Sequence, residues 1–216
     1  MVRRPLIVAT SNPGKLREFG ELLKELPFAV HGLEELGITP PEETGASFLD
    51  NAMLKARHAA AAAAGTLLGH AGLPDAAAIA DDSGLEVDAL GGAPGIYSAR
   101  YAGGGADDAA NNAKLMTALE GTPGEQRRAR YRCALVFVRG ALDPAPLIAE
   151  GVWEGLILEA PRGLGGFGYD PYFFLPELGV TAAELDAAAK NRLSHRGIAM
   201  RALRDQLAQE RVAARA

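Results

Sequence analysis

The sequence predicts an α/β fold built on a mixed, twisted sheet flanked by helices, and three observations lead there. Short β-branched apolar runs interleave with segments of helical period. Two of the strand-like runs end on residues that terminate them sharply, one on a string of turn formers and one on two aspartates. In the middle of the chain, runs of period two follow one another as antiparallel neighbours do.

Leu6-Ile7-Val8-Ala9 reads as the first strand and passes into Thr10-Ser11-Asn12-Pro13-Gly14-Lys15, a loop of turn formers. From Lys15 to Leu26, the residues Leu16, Phe19, Leu22, Leu23 and Leu26 recur at helical spacing. A second helix is expected from about Phe48 through the alanine run Ala59 to Ala64, started by Ser47 with Asp50 and ended by Gly65. Gly69 to Asp75 reads as a loop. Ala78-Ile79-Ala80 is a short buried strand ending on Asp81-Asp82-Ser83-Gly84, and Leu85, Val87 and Ala89 alternate with Glu86 and Asp88 as a half-exposed strand. Gly91 to Gly105 reads as a glycine-rich loop and Asp107 to Leu119 as a helix. Tyr131, Cys133, Leu135 and Phe137 share one face of an extended run, expected to pair with a second run between Leu147 and Leu158. Thr181 and Glu184 form a capping box, and a last helix from about Ser194 carries Ile198, Leu203 and Leu207.

No repeat or low-complexity linker divides the 216 residues, so a single domain over residues 1–216 is expected, although the length also admits two halves. Apolar residues make up 48% and charged residues 23%, the balance of a globular protein with a real core. A net charge of −5 argues against a nucleic-acid polymer as partner. No run reaches the ~20 apolar residues of a membrane span, and Met1 to Pro5 carries no secretory apolar region, so a cytoplasmic location is expected. The single Cys133 sits in an apolar alternation and reads as a small buried hydrophobe.

Several segments carry candidate chemistry, each beside a plainer alternative. The Thr10 to Lys15 loop leaves a strand and opens a helix, where backbone N–H groups, the helix dipole and Lys15 favour an anion; it lacks P-loop spacing and also suits an ordinary helix start. Asp81-Asp82-Ser83-Gly84 puts two carboxylates at the end of a buried strand, where a hard cation such as Mg²⁺ would offset their burial; a turn with aspartate caps is the alternative. Glu42-Glu43-Thr44-Gly45 precedes the helix bearing Asn51 and Lys55 and can add a carboxylate and an ammonium, or be a solvated acidic start. Gly165-Gly166-Phe167-Gly168-Tyr169-Asp170-Pro171 sets two aromatics among glycines, exposed for stacking on a base or packed in a turn. Lys190 and Ser194-His195-Arg196 follow at a helix start, where a surface histidine is the ordinary reading.

Taken together, these blocks resemble the inosine triphosphate pyrophosphatase family, also called Ham1-like or bacterial dITP/XTP pyrophosphatases. The resemblance runs through Ala9 to Lys15, Glu43-Thr44-Gly45 with Asn51-Ala52 and Lys55-Ala56, Ala80 to Val87, Gly91 to Tyr101, Gly166 to Pro171 and Ser194 to Arg196. It implies two lobes around a central nucleotide-binding cleft, and hydrolysis of non-standard purine nucleoside triphosphates (dITP, ITP, XTP) to the monophosphate and pyrophosphate. By the same resemblance, Thr10, Ser11, Asn12, Pro13, Gly14 and Lys15 grip the triphosphate. Glu43 and Asp82 bind Mg²⁺, and Asp82 is also the general base. Lys15, Lys55 and Ser83 assist at the phosphates, and Asp81 supports. Phe167, Gly168, Tyr169, Asp170, Lys190, His195 and Arg196 recognise the base, and the family implies a homodimer. Two rivals are a Maf-like pyrophosphatase acting on pyrimidine or modified nucleotides, against which the Phe167-Gly168-Tyr169-Asp170 and Ser194-His195-Arg196 blocks speak, and a non-catalytic nucleotide sensor.

Overall fold

The computed structural model describes residues 3–66 and 76–213, so the expected 69–75 loop lies outside the described residues. Among the described residues seven strands form one sheet in the order β2-β1-β3-β4-β5-β6-β7, with β1 Arg4–Val8, β2 Phe28–Gly32, β3 Ala77–Val87, β4 Arg128–Val138, β5 Leu147–Ile157, β6 Phe173–Leu175 and β7 Val180–Thr181. β1 runs parallel to both β2 and β3, whereas β6 is antiparallel to β5 and β7. The sheet is mixed, as expected, and the expected neighbours β4 and β5 lie side by side. The α-helices among the described residues are α1 Pro13–Leu22, α2 Phe48–Ala62, α3 Asp108–Ala118, α4 Ala187–Leu193 and α5 His195–Ala213.

Some elements differ from expectation. β2 carries little signal in the sequence, because the apolar run in Phe28-Ala29-Val30-His31-Gly32 is only three residues long and does not alternate, and only Phe28 of the five is buried. β3 is one continuous strand through Asp81, Asp82 and Ser83, with no turn there. The loop expected over Gly91 to Gly105 contains a 3₁₀ helix, Gly95–Arg100. β4 alternates only up to Cys133; from there to Val138 every residue is buried, since that half is covered on both faces.

The chain forms two compact units. The first comprises residues 1–82, 134–150 and 199–216, and the second comprises residues 83–133 and 151–198. In the first unit, α2 buries Ala52, Ala56, Ala59 and Ala60 at helical spacing against Ile7, Ala78, Ala80, Ala134 and Val136. Alanine on both sides lets helix and sheet backbones approach closely, at no side-chain entropy cost. In the second unit the core is aromatic: Tyr131, Trp153, Tyr169 and Phe173 pack with Leu85, Val87, Leu115 and Leu119. Full burial of each such side chain contributes on the order of 1.5–3 kcal/mol.

Candidate active site

Within the first unit, β1 ends at Val8 and α1 begins at Pro13, so the Thr10 to Lys15 segment turns at the C-terminal end of a parallel strand. Much of its polarity serves the turn. Asn12 is the N-cap of α1 and accepts from the Lys15 amide at 3.0 Å, while the Thr10 hydroxyl accepts from the Asn12 amide at 3.2 Å. Pro13 occupies the first helical position, where its missing N–H is not needed. The Lys15 ammonium reaches Asp81 on β3 at 2.9 Å.

The next residue of β3, Asp82, receives Lys55 from α2 at 2.7 Å, and the same ammonium contacts Glu43 at 3.0 Å. Asn51, one turn before Lys55 on α2, donates to Asp82 at 3.3 Å with its amide nitrogen and accepts from the Gly45 amide at 2.8 Å with its oxygen. A Cβ at Gly45 would stand 2.6 Å from that oxygen, so only glycine lets the 43–45 segment lie this close to α2. Burial pushes the Asp82 carboxyl up, and the ammonium groups of Lys55 and Lys15 only partly offset this. Burial also opposes the Lys55 charge, but Asp82, Asp81 and Glu43 outweigh it and hold Lys55 above the ordinary lysine range.

Glu43 and Asp82 meet at one ammonium, which brings two hard oxygen donors together. That donor set fits Mg²⁺, which is held by one or two carboxylates and leaves its other positions to water and phosphate.

The second unit gathers the remaining predicted residues. Asp170 is 3% exposed and accepts from Lys190 at 2.6 Å, the Phe167 amide at 2.9 Å and the Tyr131 hydroxyl at 3.3 Å. A Cβ on Gly166 would collide with the Asp170 carboxylate, and its φ of +75° is one that L side chains rarely adopt. Asp170 therefore braces the loop. Lys190 lies over the Phe167 ring, 4.4 Å from its centroid. His195, at the start of α5, stacks on Tyr131 with centroids 4.8 Å apart and an interplanar angle of 12°, and faces Trp153 at 6.4 Å. It is buried, not the surface histidine ordinarily expected at a helix start. Arg196 is 1% exposed and donates to Ser83 at 3.1 Å.

Of the two aromatics, read as either exposed for stacking or packed in a turn, Phe167 is half-buried and Tyr169 is buried, its hydroxyl donating to the Ser98 carbonyl at 2.7 Å. An aromatic with its polar tip satisfied belongs in a core. Burial, then the nearby Tyr101 and Asp108, push the Tyr169 hydroxyl well above the ordinary tyrosine range. Tyr131 is raised likewise, by burial and then by the Asp170 carboxylate, and so stays a donor. Tyr131 and Trp153 carry only the signal of the core pattern, and Asn51, named with Lys55 on its helix, has no role assigned to it by the sequence. Their roles emerge only from contacts distant in sequence.

Comparisons with known proteins show the family. The model of the Ham1 family matches residues 6–206. A dITP/XTP pyrophosphatase of Thioalkalivibrio sulfidiphilus is 54% identical over 202 residues, covering 94% of this chain and 97% of that protein. One from Pectobacterium atrosepticum is 53% identical over the same coverage. The solved structure of a HAM1 protein from Coxiella burnetii superposes with a TM-score of 0.81 at 44% identity, covering 95% of this chain and 99% of that one. With nearly its whole length matched in sequence and in fold, the chain belongs to the Ham1 family.

Proposed function

We propose that this chain hydrolyses non-standard purine nucleoside triphosphates, dITP, ITP and XTP, to the monophosphate and pyrophosphate with Mg²⁺ as cofactor. The observation that carries the reading is the cluster in which Lys15 meets Asp81 while Lys55 meets Glu43 and Asp82. It combines cations for a polyphosphate with carboxylates for a metal, and the curated relatives are named dITP/XTP pyrophosphatases.

Glu43 and Asp82 would hold the metal, which when bound neutralises phosphate charge. Lys15, Lys55 and the Thr10 to Gly14 backbone bind and orient the triphosphate. Water attacks the α-phosphorus, and its proton passes to the Asp82 carboxylate. The bond from the α-phosphorus to the bridging oxygen breaks, and its electron pair leaves on pyrophosphate. Ser83 contacts phosphate. Base selection falls to Phe167, Gly168, Tyr169, Asp170, Lys190, His195 and Arg196: a 6-oxo purine presents an acceptor to donors such as Arg196, where adenine presents an amino group that finds no acceptor. The same reading places the enzyme among cytoplasmic nucleotides, as a homodimer.

A nucleotide panel tests this reading. Pyrophosphate, not orthophosphate, should be released from dITP and XTP in Mg²⁺ and not in chelator, with ATP and GTP poor substrates. Asp82→Asn should lower kcat by about 100-fold or more. Orthophosphate as product, or an Asp82→Asn enzyme of full rate, defeats the mechanism.

A further inference from the structure

Helix α3 grips the Phe167–Gly168–Tyr169 segment from one side. The Asp108 carboxylate, in its first turn, accepts from the Gly168 amide at 2.6 Å. One turn on, the Asn112 side-chain amide donates to the Gly168 carbonyl at 2.9 Å and to the Asp108 carbonyl at 2.8 Å. Spacing of i and i+4 puts both side chains on one helical face, so two successive peptide groups of the loop are held by a single turn of helix. The Asn112 orientation is fixed, because a flipped amide would set its oxygen against two carbonyls. Kept this way, its oxygen is buried with no hydrogen-bond partner among the described residues. An unsatisfied buried acceptor is rare in native structures and asks for a reason other than stability.

We propose that Asp108 and Asn112 are specificity-positioning residues, which fix the Phe167 ring by clamping Gly168 and thereby set the preference for a deaminated base over adenine. This rests on the reading that Phe167 and its neighbours recognise the base. Phe167 has its amide on Asp170 and its ring under Lys190, which hold it from its own side. The clamp holds the next residue from the other side. With both in place the ring plane is determined; without the clamp, a glycine-rich segment can rotate about Gly168 and the ring can follow either base.

Asp108 is exposed, so its substitution leaves the core intact, and the test starts there. Pyrophosphate release is measured with ITP and with ATP for Asp108→Ala, Asp108→Asn, Phe167→Ala and the double variant Asp108→Ala/Phe167→Ala. Loss of a hydrogen bond to a charged acceptor should reduce the ITP-to-ATP ratio of kcat/KM about tenfold in Asp108→Ala. The change should appear as a higher KM for ITP, with kcat within about threefold of the wild type. Asp108→Asn keeps an acceptor for the Gly168 amide and should restore most of the ratio. In the double variant, Asp108→Ala should add nothing to Phe167→Ala, because it acts through that ring. Asn112→Ala should narrow the ratio in the same way. A normal ratio in Asp108→Ala while Phe167→Ala narrows it overturns the clamp alone. Additive losses in the double variant also overturn it. An unchanged ratio in Phe167→Ala defeats the base-recognition reading together with the clamp.

Discussion

Asp143 shows how one side chain can set an acid limit. It is buried, accepts from the amides of Arg139 at 2.8 Å and Ala145 at 3.0 Å, and takes the Arg139 guanidinium at 2.8 Å. Burial opposes its charge, but these donors outweigh it and hold the carboxyl below the usual aspartate range. A depressed folded-state pKa contributes stability that is fully present above the unfolded value and is lost as pH falls through the folded one. The stability gap between wild type and Asp143→Ala should therefore be constant near neutrality and shrink below about pH 4; urea titrations at several pH values check this, and a gap independent of pH would show that the charge is not what stabilises. At this scale the candidate site was half legible. Lys15, Glu43, Lys55, Asp81 and Asp82 carry their chemistry in their side chains, and the chain brings them together. Tyr131, Asn112 and Asp108 could not be singled out, since an aromatic in a strand and polar residues in a helix look the same whether or not they hold a loop 39 to 60 residues away.

Among the elements, α2 was the most readable, because its signals are local. Ser47 caps it, accepting from the Asp50 amide at 3.1 Å and donating to the Asp50 carboxylate at 2.8 Å. Ser47→Ala should cost about 1 kcal/mol of stability, with Ser47→Asp recovering most of it; chemical denaturation measures both, and no loss in the alanine variant would mean that the turn is held by Asn51 and Gly45 instead. The Thr181 and Glu184 box was equally legible, and it starts the 3₁₀ turn Ala182–Glu184. β2 was not legible: a strand that pairs with β1 along five residues while burying only one of them is specified by its neighbour's hydrogen bonds more than by its own side chains. β3 misled for the opposite reason. Two aspartates and a serine look like the end of a strand, and β3 keeps them inside because lysines from α1 and α2 accompany the carboxylates.

For the molecule as a whole, strand continuity decides cooperativity. β3 contributes residues 77–82 to the first unit and 83–87 to the second, β4 contributes 134–138 and 128–133, and β5 contributes 147–150 and 151–157. Three strands that each belong to both units give neither a boundary at which to unfold alone. Native-state hydrogen exchange should give the amides of Ile79 and Val87 opening free energies within about 1 kcal/mol of each other. A larger difference would mark the units as separate folding bodies. The mixed α/β class could be read from the order of runs alone, since sequence period reports local structure, whereas the division into two units depends on contacts that no window of sequence contains.

The chain has one tryptophan, and the structure puts it beside the histidine and tyrosine of the second unit, with Trp153 at 6.4 Å from both Tyr131 and His195. Indole emission responds to neighbouring imidazole and phenol rings, so the protein carries its own optical label at the group assigned to the base. Titrating unlabelled nucleotide against that emission would follow occupancy of this group directly, independent of turnover.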